Sequence, residues 1–150
     1  MKPYARFAAM IFVSTVVMFG LMYLNTYEID HAYFSETRAY MALVMGATMA
    51  VIMLGFMLHM LKNPGANVAI LIAGVLAFSV SLWLVRSQAT VGEVSYMKAM
   101  IPHHSIAILT SERARISDPR VRKLADGIIE AQRREIAEMK QLIEELQAKR

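Results

Sequence analysis

The chain has 150 residues, with 16 Lys and Arg against 12 Asp and Glu, a formal charge of +4, four histidines, thirteen methionines and no cysteine. The length admits one ordinary domain, and the lack of cysteine excludes disulfides, thiolate zinc sites and thiol nucleophiles. Lys and Arg are interspersed with Asp and Glu over the C-terminal segment. That is the pattern of a solvated helix face, so no nucleic-acid partner is expected.

Apolar residues concentrate in three long runs before position 86. Residues 7–24 are uncharged and follow Lys2 and Arg6. A basic start before an apolar run is also the pattern of a secretion signal, but this run is long and no small-x-small cleavage motif closes it. A retained membrane helix is expected. Residues 39–61 carry His59 as their one ionisable group, and residues 66–85 carry none. At about 1.5 Å per residue each run suffices to cross a hydrocarbon core of about 30 Å. Three transmembrane helices and a lipid bilayer as partner are therefore predicted for a membrane region over 1–86. Lys62, Asn63, Pro64 and Gly65 form a tight turn that makes the second and third spans a hairpin.

Basic residues near the membrane are balanced, with Lys2, Arg6 and Lys62 on one side and Arg38, Arg86 and Lys98 on the other. The basic flank of the first helix and the acidic first connection (Glu28, Asp30, Glu36) favour a cytoplasmic N-terminus and an extracytoplasmic C-terminal segment. Tyr27, Tyr33, Tyr40 and Trp83 would then share the outer interface. Within the second run Met41, Met45, Met49, Met53 and Met57 recur every fourth residue. A four-residue step drifts about 40° on a helix, so this row winds around it. It serves either ordinary packing, with Gly46 and Gly55 allowing close approach, or a thioether ladder for a soft metal ion.

Residues 87–92 form a polar linker, and 93–150 read as an antiparallel two-helix hairpin. The break at Ser117, Asp118 and Pro119 places Asp118 at an N-cap and Pro119 at the first helical position. The first helix has a seam of Val94, Met97, Ile101, His104 and Ile108. The second has Ile129, Gln132, Ile136, Met139, Ile143 and Leu146, at alternating spacings of three and four. Two such helices bury little core alone. The fold class is thus all-α: three spans, then a half-bundle completed by a second chain, as homodimer or higher homo-oligomer, or by docking on the membrane region.

Folding the hairpin at 117–118 sets Met97 level with Met139, Met100 with Glu135, and His104 with Ala131 and Gln132. At about 100° per residue, Met97, Met100 and His104 share one face about 60° wide, while His103 points about 100° away from His104. Thioethers are soft ligands, so two Met with one His suit Cu(I), or Ag(I) as its mimic, better than zinc or hard cations. The alternative is a packed seam in which His104 hydrogen-bonds Gln132 and His103 is exposed.

Met100, Ile101, Pro102, His103 and His104, then Ala107 and Ile108, then Ile128, Ile129, Ala131, Gln132, Glu135, Ile136 and Met139 carry a resemblance to a known family. Over residues 93–146 the chain resembles the domain of unknown function 305, the family of CopM-like copper-binding proteins. The resemblance implies a ferritin-like helical bundle on the extracytoplasmic face of a bacterial inner membrane. It implies copper, and also silver, held through Met100, His103, His104 and Met139, with Gln132 and Glu135 as a recurrent polar pair. Thr110 stands where the family commonly has another methionine. The helical unit occurs once where copper-binding members often repeat it, which favours dimerisation.

The expected metal ligands are therefore Met97, Met100, His103, His104, Met139 and Glu135, with Gln132 supporting them. Nothing resembles a nucleophile–base pair or a phosphate loop, so an enzyme is not expected. The leading expectation is a membrane-anchored protein that binds Cu(I) for copper tolerance and hands it to a copper-transfer partner. A metal-free module that recruits proteins and a copper transporter using the Met row are the alternatives.

Overall fold

The computed structural model describes residues 3–149, which form helices α1 (Pro3–Leu21), α2 (Glu36–Met57), α3 (Pro64–Ser87), α4 (Glu93–Arg113) and α5 (Pro119–Ala148). A short 3-10 turn, Ile29–His31, lies between α1 and α2, and there is no strand among the described residues. α1, α2 and α3 are each long and apolar enough to cross a membrane.

The chain divides into two compact units. The first comprises residues up to Met22 together with Thr37–Thr90. Its core is Phe7, Leu54 and Leu61, with Ile11, Met53, Met57 and Ile70 packed against them. Tyr4 fixes the start of α1 to the α2–α3 turn. Its hydroxyl donates to Asn67 Oδ1 at 2.9 Å and accepts from the Asn63 amide at 2.9 Å. Asn63 caps α3 by accepting from the Ala66 amide at 3.1 Å, with Pro64 in the first turn, where its missing N–H costs nothing. The second apolar run leaves its helix at Met57 instead of continuing to residue 61. Leu61 turns back into the core, fully buried, and its carbonyl accepts from Asn67 Nδ2 at 2.7 Å. His59 is exposed in that turn, outside α2.

Close helix approach occurs at Gly46 and Gly74, where an added Cβ would stand 2.3 Å from Thr15 Oγ1 and 2.8 Å from Val51 Cγ2. Gly55 meets nothing within 4 Å, so the expectation that it permits close approach is corrected. Thr15 has little freedom to yield, being β-branched and bonded through Oγ1 to the Ile11 carbonyl at 2.8 Å. Gly46→Ala is therefore expected to cost about 1–3 kcal/mol through overpacking. Gly55→Ala should be neutral or slightly stabilising, since alanine is the better helix former. Thermal unfolding in detergent checks the pair, and equal melting temperatures would contradict this account.

The second unit comprises Tyr23–Glu36 and Val91–Arg150. The two predicted seams meet: Met97, Ile101, Ile108, Ile136 and Ile143 are buried together, and Val94, Ile129, Met139 and Leu146 pack on them. Asp118 caps α5 by accepting from the Arg120 amide at 2.8 Å. By sequence, residues 25–38 are the connection between the first two spans of a region 1–86, with Tyr27 and Tyr33 at the outer membrane interface. Instead, Tyr27 and Tyr33 from this segment pack on the hairpin core. Part of the cover the hairpin needs therefore comes from its own chain.

Candidate metal centre

The geometry follows from three consecutive residues on α4. Neighbours on a helix stand about 100° apart, so residues 103, 104 and 105 must face three directions. His103 is exposed, His104 is half-buried and Ser105 is fully buried. The Ser105 hydroxyl faces the 23–36 segment, accepting from the Tyr27 amide at 2.7 Å and lying 3.0 Å from His31 Nδ1. His104, on the opposite flank of the seam, faces α5. α4 continues as a helix through the buried Pro102.

His104 lines a cleft of about 950 Å³ between α4 and α5. Met97, Met100, Glu135 and Met139 line the same cleft, so five of the residues expected as ligands are brought together. His103 does not line it, and its ring stands 6.2 Å from that of His104, nearly edge-on. Gln132 does not line it either; it borders a separate depression with Leu124 and Ile128. The cleft floor is apolar, with Leu142 and Leu146, while Glu93, Glu138 and Glu145 make it acidic.

Electrostatics set the state of His104. Its Nδ1 lies 3.1 Å from Glu135 Oε2. The contact lacks hydrogen-bond alignment, so this buried nitrogen has no hydrogen-bond partner. Burial lowers the His104 pKa from its ordinary value; the Glu135 carboxylate opposes this, and His103 adds to it. The ring is accordingly neutral at pH 7 and stands at the wall of a cleft lined by three thioethers. Such a donor set fits a soft monovalent ion, with the Glu135 carboxylate to balance its charge. A neutral imidazole and neutral thioethers also bind without releasing protons.

On the other flank, Arg133 Nη2 donates to Glu112 Oε1 at 2.7 Å, and the guanidinium lies 5.8 Å from the centre of the Tyr27 ring. A hydrogen bond from Tyr27 lowers the Glu112 pKa and raises that of Tyr27. The sequence places Tyr27 and Tyr33 at the membrane interface and does not reveal that they pack on the hairpin. The available signal was Tyr27, His31 and Tyr33 spaced through an acidic stretch too polar for lipid yet rich in ring carbon.

Three apolar helices of membrane-crossing length, followed by a hairpin with a Met- and His-lined cleft, define the class of protein. Residues 92–150 match the family described as a domain of unknown function (DUF305), the resemblance that the paired motif carries in this segment. The chain is also similar to the uncharacterized protein L153 of Acanthamoeba polyphaga mimivirus, 29% identical over 144 residues covering 91% of this chain and 93% of that protein. Coverage this wide takes in both the apolar helices and the hairpin. No solved structure matches the chain.

Proposed function

We propose that this is a membrane-anchored copper-binding protein that captures Cu(I), or Ag(I), in the α4–α5 cleft and releases it to a partner. The observation that carries this is that Met97, Met100, Met139 and Glu135 line one cleft with His104, whose buried Nδ1 has no hydrogen-bond partner. Met97, Met100, His104 and Met139 bind the ion, and Glu135 balances its charge. His103 stays at the solvent edge, where it acts as an entry ligand. Sites built on thioethers hold Cu(I) loosely enough to pass it on, which suits tolerance and handover more than catalysis.

α1, α2 and α3 cross the bilayer, with the basic N-terminal flank in the cytoplasm of a bacterium. Three crossings put the α1–α2 connection and the hairpin on the same, extracytoplasmic side, consistent with both belonging to one compact unit. A second copy completes the half-bundle. In the Met row, Met53 and Met57 pack on the Phe7, Leu54 and Leu61 core, which favours a packing role over a transport ladder.

The test is Cu(I) or Ag(I) competition against a chelator, using the full chain in detergent. The proposal predicts competition by the intact protein and its loss in a Met97, Met100 and His104→Ala variant. No competition by the intact protein, or equal competition by both, sinks it.

The pH dependence follows from the sign of the His104 shift. A lowered pKa keeps the ring neutral down to and somewhat below its ordinary value of about 6.5. Affinity should therefore stay flat on acidification to about pH 6.5 and fall only below it, as protons compete for the nitrogen. Glu135 raises the His104 pKa, so Glu135→Gln should move the fall to still lower pH. Ag(I) titrations across pH check this, and a fall centred above the ordinary histidine value would contradict it. Hairpin stability shares the sign: the fold disfavours the imidazolium, so stability is lost as pH drops through the same window.

A further inference from the structure

We infer that Glu28, Asp30 and His31 form a second metal site, for a divalent cation of the zinc class, on the segment between α1 and α2. It is independent of the α4–α5 cleft and lies outside residues 92–150. One donor atom from each of the three residues falls within 4.8 Å of the other two.

His31 Nε2 stands 3.7 Å from Glu28 Oε2 and 3.8 Å from Asp30 Oδ1. These separations are too long for hydrogen bonds. They are close to the separation of about 3.3–3.6 Å between ligand atoms that surround one tetrahedral ion at about 2.0–2.2 Å.

The histidine is held as a metal-binding histidine is held. It is 6% exposed, although it lies in a connection between helices. Its Nδ1 lies 3.0 Å from Ser105 Oγ, which also accepts from the Tyr27 amide. A serine oxygen can accept both bonds. In the tautomer that donates Nδ1–H to Ser105, the Nε2 lone pair faces the carboxylates, and Ser105 takes the role usual for the partner of a ligating histidine.

The carboxylates divide their oxygens. Asp30 Oδ2 accepts from Lys140 Nζ at 2.6 Å, leaving Oδ1 toward His31. A cavity of about 230 Å³, lined by Glu28 and His31 together with Tyr27, Arg133 and Lys140, opens beside these donors. Nitrogen and oxygen donors without sulfur suit zinc rather than Cu(I), and three protein ligands leave the fourth position to water. A bound ion would tie the 3-10 turn to α4 through Ser105.

Zinc titration of the full chain in detergent against a chromophoric chelator tests this. Glu28 and Asp30 side chains are 55% and 62% exposed, so Glu28→Gln and Asp30→Asn should leave the fold intact, with circular dichroism as the check. One zinc per chain is expected, with affinity lowered about 10-fold or more by either substitution. A Met100→Leu, Met139→Leu variant should bind zinc like the parent. No zinc binding, or binding unaffected by both carboxylate substitutions, overturns the site. So does zinc binding that depends on His104 instead.

Discussion

Replacing Met100 and Met139 together by leucine is expected to weaken Cu(I) binding by more than about 100-fold while leaving the fold intact. Substitutions beside a metal's ligands already cost about 10–100-fold. Removing two of the three thioethers that line the cleft exceeds that. Leucine nearly conserves volume, so stability should change by less than about 1.5 kcal/mol. Neither methionine is fully buried, which further limits the packing cost. Chelator competition reports the affinity and thermal unfolding reports the fold. Unchanged affinity with an unchanged fold would mean that the sulfurs only pack.

The largest expected effect on stability is at Ile101. It is fully buried at the centre of the α4–α5 seam, and Ile101→Ala should cost about 2–5 kcal/mol through lost burial and the cavity left behind. Small units have little stability to spare, so a cost of that size unfolds much of the hairpin. Tyr27 and Tyr33 would lose the surface they pack on, so amides of the 23–36 segment should lose protection together with α4 and α5. Hydrogen exchange on the full chain checks this. Protection retained in 23–36 but lost in the hairpin would contradict a shared cooperative unit.

The parts legible in the sequence are those governed by local periodicity. The three apolar runs, the Asp118–Pro119 helix start and both seams follow from spacing and cap chemistry, and the structure places them as expected within a few residues. The separation of His103 from His104 follows from helical angle alone. The joining of residues 23–36 to the hairpin was not legible, because it rests on contacts between positions far apart in sequence. Tyr27 and Tyr33 suited an interfacial belt equally well by composition. Nothing local distinguishes a lipid headgroup from the side of α4. The partner of His104 also depended on register. A shift of one turn exchanges Gln132 for Glu135, and the carboxylate, not the amide, stands beside the ring.

Ser105 shows how the two flanks of α4 are linked. Its hydroxyl serves the Tyr27 amide and His31 on one side, while the adjacent His104 faces the cleft on the other. Rotating α4 to carry either residue out of place would displace both. The 23–36 segment thereby holds the angle at which His104 is presented.

X-ray absorption at the copper edge of the Cu(I)-loaded full chain tests the central claim most directly. Binding in the cleft predicts a coordination shell of two or three sulfur atoms and one imidazole nitrogen, with the sulfur contribution reduced in the Met100→Leu, Met139→Leu variant. A shell of nitrogen and oxygen alone, or copper that washes from the intact protein, would contradict it.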